Sequence, residues 1–204
     1  MADEKVKKHS KKHAKGSPAP AAEKAPKKVK KPVGDKTKGK KKRSNISTSA
    51  TKRLLREGAG VRFTVKRVSA DAIKKAKSHA NSFLKTVATH LNRYAAISEK
   101  KTLDVRALRD ILTNDLQQLG IKPASITAGR PLTRGLSRAG VARQLKKSQL
   151  TTARLSSEFR DALLNLTEAY LHLLGSRGAD FALVSDRKTL LGRHIDAASR
   201  ALLE

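Results

Sequence analysis

Between residues 69 and 97, apolar side chains recur at spacings of three and four: Ile73, Ala76, Ala80, Phe83, Val87, Leu91 and Tyr94. That period predicts one amphipathic helix, about 43 Å long at about 1.5 Å per residue. Ser69 is a good N-cap, and Asp71 puts negative charge in the first turn. A second stripe follows Ser156 and Glu158: Phe159, Leu163, Leu166, Tyr170, Leu173, Phe181 and Val184. Gly175 and Gly178 interrupt it, which weakens the case for its last turns. Short helical patterns flank both stripes, over about 48–57, 104–116, 136–147 and 191–202. Gly58 and Gly60 are placed to close the first of these. The pattern is therefore short, long, short helix, twice, and the expected class is all-α. Pro123, Gly129 and Pro131 mark the stretch between as a linker.

The two halves share a register. Arg67-Val68-Ser69 has its counterpart in Arg154-Leu155-Ser156, and Lys101-Thr102-Leu103 in Lys188-Thr189-Leu190; both offsets are 87. At that offset Phe83 falls on Tyr170, Tyr94 on Phe181, Val87 on Leu174 and Leu108 on Ile195. Polar markers, aromatics and apolar positions agree without a gap, which argues for two copies of one fold. A single broad stripe on so long a rod needs an equally long partner. Pairing within one chain is the simplest answer, and pairing between chains is the alternative.

Charge adds a different constraint. The chain of 204 residues has a net charge of +29. Residues 1–43 hold 17 Lys/Arg and 4 acids, so +13 sits on this segment. It has none of the six aromatics and four of the six prolines, a composition that predicts a disordered basic tail. The expected divisions are a tail over 1–45, a first fold over 46–118, a linker over 119–133 and a second fold over 134–204. Residues 46–118 carry +9, and residues 119–204, the linker and second fold together, carry +7. Charge of this size calls for a polyanion, and counterion release makes nucleic acid the leading one. A membrane surface is the rival, but no lipidation motif or long apolar run accompanies the charge. The run Lys40 to Arg43 could serve as a nuclear import signal, a weak pattern. The charged start, Met1 to Lys8, has no apolar core and argues against secretion. Without a secretory route the sequons at Asn45 and Asn165 carry no meaning. The absence of cysteine excludes disulfides, thiolate metal sites and a cysteine nucleophile.

The motifs in this register resemble the histone fold, and the tandem arrangement resembles a histone doublet of the kind found in some archaea and large DNA viruses. The resemblance covers about residues 46–204. The run from Arg134 through Arg143 to Leu145, then Arg154-Leu-Ser-Ser157 and Glu168-Ala-Tyr-Leu171, is similar to histone type three. The run Lys52-Arg-Leu-Leu-Arg56, then Gly58-Ala-Gly-Val61, Lys66-Arg-Val-Ser69 and Lys101-Thr102, is similar to type four, with an archaeal flavour. The fold so implied is a handshake of two three-helix units, antiparallel along their long helices.

The resemblance implies roles. Arg67 and Arg154, just before the long helices, would enter the DNA minor groove, where an Arg reads width rather than sequence. Arg67 would lie beside Thr189 and Arg154 beside Thr102, whose hydroxyls can hold the guanidinium. Arg134 matches a further minor-groove Arg and Arg143 a phosphate contact. Lys66, Lys101, Lys188, Lys52, Arg53 and Arg56 would sit near phosphates, with the helix starts at Ser69 and Ser156. The surface that joins two such units into a tetramer would involve Val184, His194, Ala197 and Arg200. Departures are visible. The family's loop Arg and the Asp seven residues later are Lys100 and Ala107 in the first copy, and Arg187 and His194 in the second, so neither salt bridge can form in its usual form. The family's tetramer His–Asp pair is here Val184 and His194. The first loop carries extra residues around Arg62-Phe63-Thr64.

The expected function is non-enzymatic packaging of double-stranded DNA with little sequence preference, with no cofactor. Expected protein partners are a second copy through the second fold and a second doublet or histone pair. The expected location is chromatin, in a nucleus or, for a viral protein, a viral factory and virion. None of the six histidines shows metal-ligand spacing or a nucleophile motif. A histone-fold transcription or architectural factor that bridges DNA and protein is the alternative, though such proteins are usually less basic. An RNA-binding protein would want exposed aromatics for base stacking, and all but Phe63 fall on a core stripe.

Overall fold

A computed structural model describes residues 45–60, 65, 67–123, 126, 135–148 and 154–203. Six helices follow in order: α1 (Thr48–Gly60), α2 (Ala70–Ser98), α3 (Val105–Asn114), α4 (Arg138–Lys147), α5 (Ser157–Val184) and α6 (Gly192–Leu203). Four two-residue strands join them: β1 (Arg67–Val68), β2 (Thr102–Leu103), β3 (Arg154–Leu155) and β4 (Thr189–Leu190). The order is short, long, short helix in each half, and α2 has 29 residues and α5 28.

Helix starts follow the sequence closely. Ser69 Oγ accepts from Ala72 N at 3.0 Å and Ser156 Oγ from Phe159 N at 3.0 Å. Asp104 caps α3 through Ala107 N, and Ser137 caps α4 through Gly140 N, both at 3.2 Å. Each cap satisfies one of the amide donors that a helix start leaves over.

The glycine expectations are corrected. Gly58 does not close α1, which runs through it to Gly60, its last residue. Gly175 and Gly178 do not weaken α5, which continues to Val184. The reason is tertiary contact. A side-chain carbon on Gly58 would overlap the His172 carbonyl oxygen, and one on Gly175 would lie 2.5 Å from the Leu55 carbonyl oxygen. The two helix backbones cross at these glycines. The packing so gained outweighs glycine's helix cost of about 1 kcal/mol.

The two halves share one core. Phe83 of α2 and Tyr170 of α5 stack with centroids 4.2 Å apart and planes 9° apart. Leu84, Val87, Leu91, Phe159, Leu163 and Leu174 belong to the same core, all fully buried. The segment expected as a linker is partly core. Leu119, on a short 3-10 turn over Gln117–Leu119, and Ile126 are buried, and the Arg109 guanidinium donates to the Ile126 carbonyl at 3.5 Å. The expected tail up to residue 44, Lys66, Arg134, the 61–64 segment and most of the linker lie outside the described residues.

Candidate nucleic-acid interface

The residues before each long helix are extended because the capping serine needs β backbone. That extension lets them pair with the other half's loop. β1 runs parallel to β4, with Arg67 opposite Thr189 and Val68 opposite Leu190. β2 runs parallel to β3, with Thr102 opposite Arg154 and Leu103 opposite Leu155. Ser69 N donates to the Leu190 carbonyl at 3.0 Å, and Ser156 N to the Leu103 carbonyl at 3.2 Å. Arg154 N donates to the Lys101 carbonyl at 2.9 Å.

Each junction therefore gathers an Arg, a Thr, a Lys and the positive end of a long helix. Arg67, Arg154, Lys101, Lys188 and Thr102 are exposed, and Thr189, Ser69 and Ser156 are half-buried. Arg187 and Arg193 flank the cleft beside Ser69 and Asp71 at the first junction. Arg106, also exposed, follows the loop of the second.

A third basic group lies where α1 and α4 adjoin. Asn45 donates to Gln144 at 2.9 Å, and Gly135 packs against Ala50 and Arg53. Lys52, Arg53 and Arg56 are exposed on α1, with Arg53 3.5 Å from Glu57. On the α4 side Arg138, Arg143, Lys146 and Arg160 line one open cleft with Ala139 and Ala142 as its floor. Arg138 is paired with Asp161, and Arg143 Nε donates to the Ala139 carbonyl at 3.1 Å. Arg138, Lys146 and Arg160 were not among the expected contacts. The spacing 138, 142, 146 marks one helix face and could have found the first two.

The loops have replaced the missing salt bridges differently. In the first, Lys100 lies 3.7 Å from Asp104 and over the Tyr94 ring. In the second, His194 is 3 % exposed and its Nδ1 accepts from Leu191 N at 3.3 Å. This is the reach-back of a capping box, with imidazole in the usual place of Glu or Gln. The neutral ring then carries its proton on Nε2, so the nearby Arg193 Nε cannot donate there. Burial, then Arg193 and Arg187, hold the His194 pKa below its ordinary value. His194 was expected on a self-association surface, and instead its ring is withdrawn into the chain. Of the other residues expected on that surface, Val184 is 87 % exposed and Arg200 exposed, Ala197 is half-buried, and Phe181 and Leu183 near Val184 in sequence are exposed too.

Among solved structures, the chain is similar to the histone from Methanopyrus kandleri, with 26 % identity and a TM-score of 0.55. The chain has a histone fold. The match covers 75 % of this chain and 92 % of that one, more of this chain than either helix triplet alone. No family model and no curated protein matches the sequence, so the likeness of the histone fold is carried by structure. Among the described residues, no group of three His, Asp or Glu could hold a metal ion, and no helix is long and apolar enough to cross a membrane.

Proposed function

We propose that this protein is a histone doublet, two tandem histone folds of type-four and type-three character that bind, bend and compact double-stranded DNA with little sequence preference. The observation that carries the reading is the pair of junctions. Each sets an exposed Arg opposite a Thr at the start of a long helix, and the two are related by the 87-residue offset. Two such sites with a basic α1–α4 group between them suit a duplex that returns to the protein at successive minor grooves. Lys101 and Lys188 supply phosphate contacts at the junctions, and helix starts add their amides. Arg143, Lys146 and Arg160 form a phosphate grip between them. Arg134 and Lys66 extend the same path in sequence. The +13 of residues 1–43 adds diffuse neutralisation and salt dependence.

In this reading two chains associate through the end of the second fold. Phe181, Leu183 and Val184 supply the exposed apolar contact there, with half-buried Ala197 and exposed Arg200 of α6 contributing. A second doublet or histone pair completes a nucleosome-like particle, and chromatin, nuclear or viral, is its place. The likeness to a solved histone supports the fold on which this reading rests.

The test is replacement of Arg67 and Arg154 together by Ala. Both side chains are exposed, so the melting temperature should change little. The protected DNA should shrink or fray. Unchanged protection by the double variant would overturn the assignment of these two arginines.

A further inference from the structure

The two junctions match in register but not in charge. At the offset of 87, Lys101 answers to Lys188, Arg106 to Arg193, Glu99 to Asp186 and Glu158 to Asp71, like for like. Lys100 answers to Arg187, again a cation. The match breaks around Lys100. Asp104 stands where the first junction has Leu191, and Tyr94 stands where α5 has Phe181.

Both differences bear on one ammonium group. Lys100 Nζ lies 3.7 Å from the Asp104 carboxylate and 5.7 Å from the centre of the Tyr94 ring, and it donates to the Tyr94 hydroxyl at 3.4 Å. Asp104 is itself held, because its other carboxylate oxygen accepts from Ala107 N at the start of α3. At the first junction Leu191 offers no carboxylate and Phe181 no hydroxyl. Arg187 and Arg193, both exposed, line one open cleft with Ser69 and Asp71 there.

A lysine 3.7 Å from a carboxylate is close to neutral when seen from beyond the Debye length of about 8 Å at physiological salt. If Lys100 swung to a phosphate, it would leave the Asp104 carboxylate facing the same polyanion. Either way the pair brings no net charge to a duplex, and net charge is what displaces counterions. Across these matched positions Asp104 leaves the second junction one positive charge short of the first.

We infer that Asp104 is a positioning residue that holds Lys100 back from duplex DNA and so sets the grip of the second junction below that of the first. The inference rests on the reading of the junctions as duplex-binding sites.

The test is the salt dependence of binding of the full chain to one short duplex, read as the slope of log affinity against log salt. Each phosphate that a cation neutralises adds about 0.9 to that slope. Asp104→Ser removes the carboxylate and keeps a capping oxygen for α3. It should steepen the slope by about 0.9, a roughly threefold larger loss of affinity between ~50 and ~200 mM salt. Asp104→Ser combined with Lys100→Gln should return the slope to that of the parent chain, because the released cation is gone. Arg187→Gln, at the junction without the carboxylate, should flatten the slope by about 0.9. A merely structural role for Asp104 would weaken the fold and give no gain in slope. An unchanged slope in Asp104→Ser would overturn the inference, as would a gain that survives Lys100→Gln or an Arg187→Gln chain with the parent's slope. Arg67→Ala on the same duplex separates the two levels. A shallower slope there, with no gain in Asp104→Ser, strikes this inference alone. An unchanged slope in Arg67→Ala strikes the duplex-binding reading, and the inference with it.

Discussion

Helices α2 and α5 hold matching places in the sequence and different places in the molecule. α2 buries one stripe, from Ala72 through Phe83 to Leu91, and turns Lys74, Lys85 and Arg93 outward. At the same offset α5 has Asp161, His172 and Asp180, all half-buried. Seven consecutive residues of α5, from Ala162 to Glu168, are buried. The difference comes from the short helices. α1, 13 residues long, lies across α5 at the Gly58 and Gly175 crossing; α4, 10 residues long, has Leu145 where α1 has Gly58. One long helix is thus the scaffold of the fold and the other its basic outer face. A repeat in sequence sets a symmetric frame, and small residues then decide which half is covered.

The largest expected effect tests the frame itself. Phe83→Ala and Tyr170→Ala each empty one side of the central stack and should cost about 3–5 kcal/mol. Guanidinium unfolding measures both, and the symmetric frame predicts similar losses. A loss confined to one ring would break the symmetry at the centre.

A smaller effect tests the asymmetry. Gly175→Ala should destabilise by about 1–3 kcal/mol through overpacking, although the same change in an open helix would gain about 1 kcal/mol. Ala88→Gly, its counterpart, should cost about 1 kcal/mol through propensity and about 1 kcal/mol more through the buried methyl it removes. A stabilised Gly175→Ala chain would mean that α1 does not approach α5 so closely.

The smallest effects lie in pH dependence, and the two groups that carry them, His194 and Asp196, lie in the second half. The folded fold holds His194 neutral by burial and by Arg193 and Arg187, so its pKa lies below 6.5. Its contribution is full above that value and declines as pH falls through it. The His79 hydrogen bond, with Lys75, holds the Asp196 carboxyl below 3.8. Its contribution is present above that value and is lost as pH falls through the lower folded one. The counterparts in the first half, Ala107 and Arg109, cannot titrate in this range. Unfolding midpoints across pH should show a shallow decline below 6.5 that His194→Gln removes and a further one in acid that Asp196→Asn removes. Unchanged profiles in both variants would contradict these assignments.

The frame was legible in the sequence because it is written in local chemistry. Serine caps, three-and-four spacing and the offset between Arg67 and Arg154 set the helix starts, the long helices and the matching of the two halves, whereas the pairing of Arg67 with Thr189 and of Arg154 with Thr102 was implied by the resemblance to histones. Gly58 was misread as a helix end and Gly175 as a weak point because neither position shows that another backbone crosses it. His194 was expected on an association surface from its position, which does not reveal that its ring turns back to the Leu191 amide. Arg160 was missed because the cleft that gives it company forms only when α4 packs on α5.

The central claim is that two matched junctions and a basic group between them bend duplex DNA along one defined path. Nuclease digestion of reconstituted complexes tests it most directly. The account predicts a discrete protected length that persists as digestion proceeds. A continuous smear, with no protected length at any stage, would contradict it.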